Sequence, residues 1–238
     1  MQRFNNKAKH AAARFLALAT CVLAAFSSVA GQDSVELSRF EFSAQKMGVP
    51  TRVVLYAADE ETAQVAAAAV WKRFDELNET LSDYVQTSEI VQVCRKSEES
   101  GDFVAISVDL RAALVESRRY CELTDGAFDA TVVPIVKLWR RSRYFNELPP
   151  PSVLEPAKTK VGLDVWELTN AGVKTKPGVR FDVGGIAKGI ALDEALKAVQ
   201  AQGIESALID SGGDLRLGAA PPGKEGWSVG VASIGEKS

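Results

Sequence analysis

The sequence predicts an α+β protein in which mixed β-sheets carry packed helices, arranged as two intimately associated subdomains around a substantial core. Short β-branched and apolar runs alternate along the chain with longer segments whose apolar residues recur every three or four positions. Glycine-rich turns separate these segments. The hydrophobic content of 46% is that of a globular protein.

The first 30 residues predict a signal peptide. They hold basic residues and no acidic one, then the apolar run 15–26 and the cleavage-like sequence Ser28-Val29-Ala30. We therefore expect residues 31–238 to form the mature domain of an exported protein, periplasmic or in the cell envelope. Cys21 follows a sequence similar to a lipobox, so anchoring to the membrane through a lipidated Cys21 is the alternative.

Charge and composition exclude several functions. Without residues 1–30 the chain has 24 basic and 31 acidic residues, a net charge near −7, so we expect no binding to nucleic acid. The one histidine, His10, lies in the predicted signal peptide, which excludes a histidine base or a His-ligated zinc site from the mature chain. Cys94 and Cys121 either pair or remain thiols.

The first elements are a hairpin and two helices. Two strands around 40–44 and 51–56 flank a turn at Met47-Gly48. A long helix starts after the N-cap Asp59 and ends near Leu81, and a Ser or Thr at 87–88 caps the next helix.

The middle of the chain predicts a charged loop over 95–102, a strand over 103–107 and a helix capped by Asp109. The polar stretch 124–131, with Gly126 and Phe128, is either a helix C-cap above a buried ring or a ligand-binding loop.

The last third begins with an exposed connection over 140–160, which is basic and then proline-rich. A pair of short strands follows over 161–175, and Trp227–Val231 predicts a final strand.

The stretch 179–189 lies at the centre of the predicted fold. Residues 179–183 predict a strand, Gly184-Gly185 a turn with positive φ, and the segment up to Gly203 a helix that leads to a strand at 207–209. The result is a strand-helix-strand unit at 179–210. Its helix start would offer free N–H groups to an anion such as phosphate, and Lys188 would add a charge; a purely structural turn is the alternative.

A second glycine turn, Ser211-Gly212-Gly213-Asp214, follows that unit. Two such turns at the ends of neighbouring elements favour a ligand crevice between them.

Taken together, the motifs resemble those of the bacterial FAD:protein FMN transferases, the ApbE-like flavin transferases. The resemblance covers nearly all of residues 40–231. Its most specific motifs are Asp182–Gly189 and Gly126–Thr131; the supporting motifs are Met47-Gly48, Leu81–Tyr84 with Ser88–Ile90, Leu138-Trp139 and Ser211–Asp214.

This resemblance implies an exported, Mg²⁺-dependent enzyme that transfers FMN from FAD to a threonine hydroxyl of a partner flavoprotein and releases AMP. The alternatives are an inactive FAD-binding protein, an FAD pyrophosphatase that gives FMN and AMP, and a generic nucleotide phosphohydrolase. Relative to the family, we expect the chain to lack a C-terminal part that carries most of the magnesium ligands.

The resemblance also implies roles for individual residues. Met47 would lie against the isoalloxazine ring, and the backbone carbonyl of Gly185 would bind Mg²⁺. Six further residues would contact FAD: Tyr84, Ala127, Phe128, Asp129, Asp182 and Lys188. No catalytic residue is implied.

Overall fold

The computed structural model describes residues 36–231, so the predicted signal peptide and Cys21 lie outside the described residues. Six α-helices are described, with one short 3₁₀ helix at Leu163–Val165. The α-helices are α1 (Glu60–Leu81), α2 (Glu89–Ser100), α3 (Val108–Leu123), α4 (Val133–Phe145), α5 (Pro151–Lys158) and α6 (Gly184–Gln200). Six strands accompany them: β1 (Ser38–Lys46), β2 (Val49–Ala57), β3 (Trp166–Thr169), β4 (Gly172–Thr175), β5 (Ala207–Ser211) and β6 (Asp214–Leu217).

The strands form two antiparallel sheets, a four-stranded one in the order β1-β2-β5-β6 and a two-stranded one made by β3 and β4. Helices α1 and α6 pack on each other and on the larger sheet. The α+β class predicted from the sequence is confirmed. Buried residues of both sheets, such as Val53 and Val173, belong to one hydrophobic cluster with Phe74 of α1 and Leu192 of α6, so the two sheets share a core.

The hairpin β1–β2 forms as predicted, with Met47 and Gly48 both at positive φ, 47° and 78°. Two such residues in a two-residue turn match the right-handed twist of the flanking strands. The hairpin β3–β4 is confirmed as well. The predicted glycine turn after β5 is confirmed with Gly212 and Gly213 at positive φ, and the strand β6 that follows it was not predicted.

Helix α1 begins where predicted, because the Asp59 side chain accepts a hydrogen bond from the Thr62 N–H at 2.8 Å. Ser88 holds the N-cap position of α2, but its hydroxyl donates to the Ser82 carbonyl at 2.6 Å and caps no helix N–H. The predicted cap of α3 was wrong: Ser107 accepts the Leu110 N–H, whereas Asp109 pairs with Arg73 of α1.

Two segments predicted as loops are helical. Residues 95–100 belong to α2, which ends at Gly101 with a left-handed φ of 68°. Its charged residues occupy the exposed side while Cys94 and Ser97 are buried. Residues 140–160 contain the end of α4 and all of α5; Pro151 stands at the first position of α5, where proline fits a helix start.

The predicted strands at 103–107 and 227–231 do not form. Residues 103–107 contribute one bridge, Val104 to Val173, and the Val104 carbonyl would lie 1.9 Å from a Cβ on Gly172, so only glycine fits there. Trp227–Val231 forms no strand.

Cys94 and Cys121 are free and buried, so the thiol alternative holds. None of the described helices combines the length and apolar character needed to cross a membrane.

Candidate functional site

The candidate site lies at the start of α6. The predicted strand 179–183 is wrong: these residues form no strand, although the Asp182 N–H donates to the Ala130 carbonyl at 2.7 Å. The predicted positive φ at Gly184-Gly185 is wrong too, because both glycines already lie in the first turn of α6. The predicted strand-helix-strand unit is therefore an extended segment, a helix and the strand β5.

Most of the N–H groups at this helix start are already used. The Asp182 carboxylate accepts the Gly184 N–H at 2.8 Å, and the Val183 carbonyl accepts the N–H groups of Ile186 and Ala187 at 2.9 and 2.8 Å. Among the described residues this leaves the Gly185 N–H for a ligand. Asp182 is thus a helix cap as well as a candidate ligand-binding residue.

Gly185 permits the close approach of an aromatic ring. A Cβ on Gly185 would stand 3.1 Å from Cε2 of Phe128, closer than side chains usually pack. The ring of Phe128 also makes an edge contact with Tyr120, with the ring centroids 6.3 Å apart. The polar stretch 124–131 is therefore a loop whose half-buried aromatic lies against the first turn of α6.

Hydrogen bonds hold this loop in place. Asp129 Oδ1 accepts the backbone N–H and the hydroxyl of Thr131 at 2.7 and 2.6 Å. The buried Thr131 hydroxyl oxygen in turn accepts the Gly162 N–H at 2.9 Å. Asp129 accordingly supports the loop from inside, and the exposed Ala127 lies beside Phe128.

A cavity of about 830 Å³ opens between this loop, α6 and the β5–β6 turn. A volume of that size is typical of a small-molecule site. Phe128, Gly185 and Lys188 line it together with Asp214. Lys188 Nζ lies 2.6 Å from Asp214 Oδ2, so the predicted cation of the site has a carboxylate partner.

Tyr84 lines a second, smaller recess of about 270 Å³ together with Asp83, Arg140 and Phe181. Its hydroxyl accepts a hydrogen bond from Arg140 at 3.2 Å. Burial raises the pKa of the Asp83 carboxyl, and the negative charge of Asp182 raises it further. Asp182 itself lines neither cavity, and its charge acts on Asp83 of the smaller recess.

Met47 lies on the neighbouring turn. Gly212 donates its N–H to the Pro50 carbonyl at 3.0 Å, which holds the β1–β2 and β5–β6 turns side by side. The Met47 side chain packs partly buried against the core. It lines neither of the two cavities.

The structure adds contacts that the sequence motifs did not indicate. Asp214 belongs to a predicted glycine turn, but its contact with Lys188 depends on β6 lying beside α6. Asp83 is the chain neighbour of Tyr84, whereas Arg140 of α4 reaches the Tyr84 hydroxyl from 56 positions away. No local sequence signal marks Arg140 as this partner.

The described residues do not form a magnesium site. No three His, Cys, Asp or Glu side chains among them cluster as metal ligands. The carbonyl of Gly185 belongs to α6, where carbonyls point toward the helix C-terminus and accept the N–H four residues on. One such carbonyl is far short of the oxygen ligands that Mg²⁺ requires.

Fold and site together define an α+β protein whose candidate ligand cavity lies between the start of α6, the loop 124–131 and the β5–β6 turn. The family model described as the ApbE family matches residues 47–237. The chain belongs to the ApbE family.

Individual relatives of known name support the same family. The chain is 26% identical over 203 residues to a protein of Chlamydia muridarum named FAD:protein FMN transferase, covering 84% of this chain and 63% of that one. It is 29% identical over 163 residues to the protein of the same name from Vibrio cholerae, covering 67% of this chain and 47% of that one. The chain thus spans about half to two thirds of these relatives.

Solved structures give the same result. The flavin transferase ApbE from Vibrio cholerae superposes with a TM-score of 0.67 at 25% identity, over 78% of this chain and 60% of that one. The ApbE protein from Thermotoga maritima superposes with a TM-score of 0.70 at 27% identity, over 82% of this chain and 64% of that one.

Proposed function

We propose that this protein acts in the transfer of FMN from FAD to a threonine hydroxyl of a partner flavoprotein, with release of AMP. One observation carries the proposal: Phe128, Gly185 and Lys188 line one ligand-sized cavity in a chain whose relatives are named FAD:protein FMN transferases. Phe128 comes from the motif Gly126–Thr131, and Gly185 and Lys188 come from the distant motif Asp182–Gly189.

The reaction needs a hydroxyl that attacks the phosphorus of the FMN half of FAD. A new P–O bond forms to the acceptor oxygen, the P–O bond to the bridging oxygen breaks, and AMP leaves with that oxygen. The hydroxyl proton passes to a base. The one histidine of the chain is residue 10, so a base among the described residues is not a histidine.

The residues of the cavity suit the binding part of this chemistry. The Lys188 ammonium attracts the diphosphate, and the Gly185 N–H donates to a phosphate oxygen at the positive end of α6. The Phe128 ring offers an apolar face to a flavin or adenine ring. Tyr84 gives a second aromatic face in the smaller recess, 74% exposed and held by Arg140.

Mg²⁺ dependence is part of the proposal, but the described residues alone do not supply the metal site. When bound, Mg²⁺ would neutralise the diphosphate oxygens. Its contribution is measured by omitting it from the assay.

The deciding experiment incubates the protein with FAD, Mg²⁺ and an acceptor flavoprotein domain, then reads in-gel flavin fluorescence on the acceptor and AMP in solution. Fluorescent acceptor with equimolar AMP supports transfer, and an acceptor with valine in place of the target threonine must stay dark. Free FMN plus AMP on a dark acceptor means pyrophosphatase activity. Retained FAD without turnover means a binding protein.

Export is the second part of the proposal, based on residues 1–30. N-terminal sequencing of the protein from the envelope fraction tests it. A start at Gly31 supports a soluble exported form, and a lipid-modified Cys21 supports membrane anchoring. An intact Met1 in the cytoplasmic fraction contradicts export.

A further inference from the structure

Helices α4 and α5 form a projecting hairpin. Their main contacts are with each other, and only Val133 of α4 and Ala157 of α5 are buried. Asn146 ends α4 in the left-handed conformation, with φ of 54°, and the chain turns through Leu148 into α5. The end of the hairpin is therefore free to contact something outside this domain.

Large apolar side chains are exposed at that end. Tyr144 is 83% exposed, Leu148 78%, Phe145 57% and Trp139 49%. Tyr144 and Phe145 form a T-shaped pair with ring centroids 4.9 Å apart, so the two rings are ordered against each other while still facing outward. We call Trp139, Arg141, Arg143, Tyr144, Phe145 and Leu148 the tip patch.

Two adjoining grooves make the patch continuous. Arg141, Phe145 and Leu148 line one groove of about 360 Å³, and Trp139, Arg143 and Leu148 line another of about 370 Å³. Glu147 is the carboxylate that lines both grooves. Apolar and cationic groups thus alternate over one surface.

The patch is basic in an otherwise acidic protein. Residues 133–160 contain six basic and two acidic residues, whereas the whole chain has a net charge of −3. Among the described residues, the ion pair within 133–160 joins Lys158 to Glu155, and neither Arg141 nor Arg143 has a carboxylate within salt-bridge distance. The Arg141 guanidinium lies over the Phe145 ring, 5.6 Å from its centroid, and both arginines remain without an anionic partner.

We propose that the tip patch binds an anionic membrane surface, with Trp139, Tyr144, Phe145 and Leu148 entering the interface and Arg141 and Arg143 contacting lipid phosphates. Aromatic rings with a polar edge partition to the headgroup region, and arginine binds phosphate through paired N–H groups. Unpaired basic residues beside exposed rings match the chemistry of a basic interfacial helix. The proposal does not depend on FMN transfer.

The test uses the full chain and vesicles that contain brominated phosphatidylcholine, which quenches tryptophan on contact. One set of vesicles contains phosphatidylglycerol in an amount equal to the phosphatidylcholine, and the other set contains no anionic lipid. The chain has four tryptophans. The quenching lost on Trp139→Phe therefore reports contact by the tip patch itself, whatever the N-terminal segment does.

We expect Trp139-specific quenching with the anionic vesicles, and its loss with neutral vesicles or at 0.5 M salt. Arg141→Gln with Arg143→Gln should raise the lipid concentration for half-maximal quenching roughly 25-fold, about fivefold for each charge. Tyr144→Ser with Phe145→Ser should abolish quenching. Arg95→Gln with Lys96→Gln, the same charge change on the exposed side of α2, should leave it within about twofold.

The proposal is overturned if Trp139 is not quenched, if neutral vesicles quench it as strongly as anionic ones, or if the α2 control variant loses as much quenching as the tip-patch variant. A patch that serves the acceptor protein instead would give no quenching, while Arg141→Gln with Arg143→Gln lowered flavin transfer at unchanged FAD affinity. All these positions are exposed, so circular dichroism and thermal melts of the variants should match the parent chain.

Discussion

Lys188 Nζ lies 2.6 Å from Asp214 Oδ2, which joins the second turn of α6 to the start of β6 across the mouth of the larger cavity. The two side chains are 36% and 55% exposed. A pair as exposed as this contributes only about 0.2–1 kcal/mol, so a diphosphate can take the place of Asp214 at low cost.

This relationship predicts opposite effects of the two partners on FAD binding. Lys188→Gln should weaken FAD binding about tenfold, because a charged hydrogen bond to phosphate contributes roughly 1.5–3 kcal/mol. Asp214→Asn should leave FAD affinity unchanged or up to about fivefold tighter, since it removes the competing carboxylate. Flavin fluorescence titration measures both.

The control for this prediction is Lys197→Gln on the same helix, where the lysine pairs with Glu194 at 2.7 Å. It should not alter FAD affinity. Equal weakening by all three variants would show that the cavity is not the FAD site.

A second prediction concerns the ring of Phe128 above Gly185. Gly185→Ala places a methyl group 3.1 Å from the ring, whereas Gly189→Ala on the same helix meets open space. Gly189→Ala should stabilise the protein by about 0.5–1 kcal/mol through helix propensity. Gly185→Ala should be at least about 1 kcal/mol less stable than Gly189→Ala because the ring must move.

Urea denaturation gives these differences. Phe128→Leu combined with Gly185→Ala should recover most of the loss, since the smaller side chain relieves the contact. Gly185→Ala as stable as Gly189→Ala would mean that the ring shifts freely.

Asp182 leads to the third prediction, because it both caps α6 and raises the pKa of Asp83. Asp182→Ala should cost about 1 kcal/mol of stability through the lost cap and weaken FAD binding. Asp182→Asn keeps an oxygen acceptor but removes the charge, so the pKa of Asp83 should fall. Carboxyl NMR titration follows Asp83, and FAD affinity unaffected by either variant contradicts the placement of the pocket.

The raised pKa of Asp83 also fixes the direction in which stability changes with pH. The folded protein holds this proton more tightly than the unfolded chain does, so stability is lost as the pH rises from about 3.9 through the raised pKa. In Asp182→Asn this loss should shrink, and denaturation curves between pH 3.5 and 7 would show it as a flatter profile.

The fourth prediction concerns Arg73, whose guanidinium contacts both carboxylate oxygens of Asp109 at 2.6 and 2.7 Å and Glu194 at 3.0 Å. It thereby links α1 to α3 and α6. The hydrogen bonds from Arg73 hold the pKa of Asp109 below its usual range. Arg73→Met should cost about 2 kcal/mol, since partial solvent exposure reduces the effect of a buried pair.

The pH dependence follows from the lowered pKa of Asp109. The contribution of the Asp109 carboxylate to folding stability is complete above the unfolded pKa of about 3.9. It is lost as the pH falls from there through the lowered pKa of the folded state. Arg73→Met should remove that acid-side loss. Lys72→Met, which breaks an exposed pair with Glu76, should change stability by at most about 0.5 kcal/mol and keep the acid profile.

The sequence by itself determined the elements that depend on near neighbours. The turn at Met47-Gly48, the Asp59 cap and the apolar face of α1 rest on backbone preference and a period of 3.6 residues, which are local properties. The motifs at 126–131 and 182–189 also determined the family.

Local patterns predicted loops at two polar segments that are helical in the structure. The charges of α2 cover its outer face, while the small Ser97 takes a buried position and its Oγ accepts the Thr175 N–H at 2.9 Å from β4. The prolines at 149–151 looked like a linker, yet proline also fits the first turn of a helix, as at Pro151.

Tertiary structure alone decided which distant groups meet. The contacts Lys188 to Asp214, Phe128 to Gly185 and Arg73 to Asp109 join residues between 26 and 57 positions apart. Their formation depends on how the helices pack on one another and on the sheet, which is fixed by the shared core and not by any local preference. The sequence thus determined the parts of the candidate site, and packing decided that its cation and its helix start already have partners within the chain.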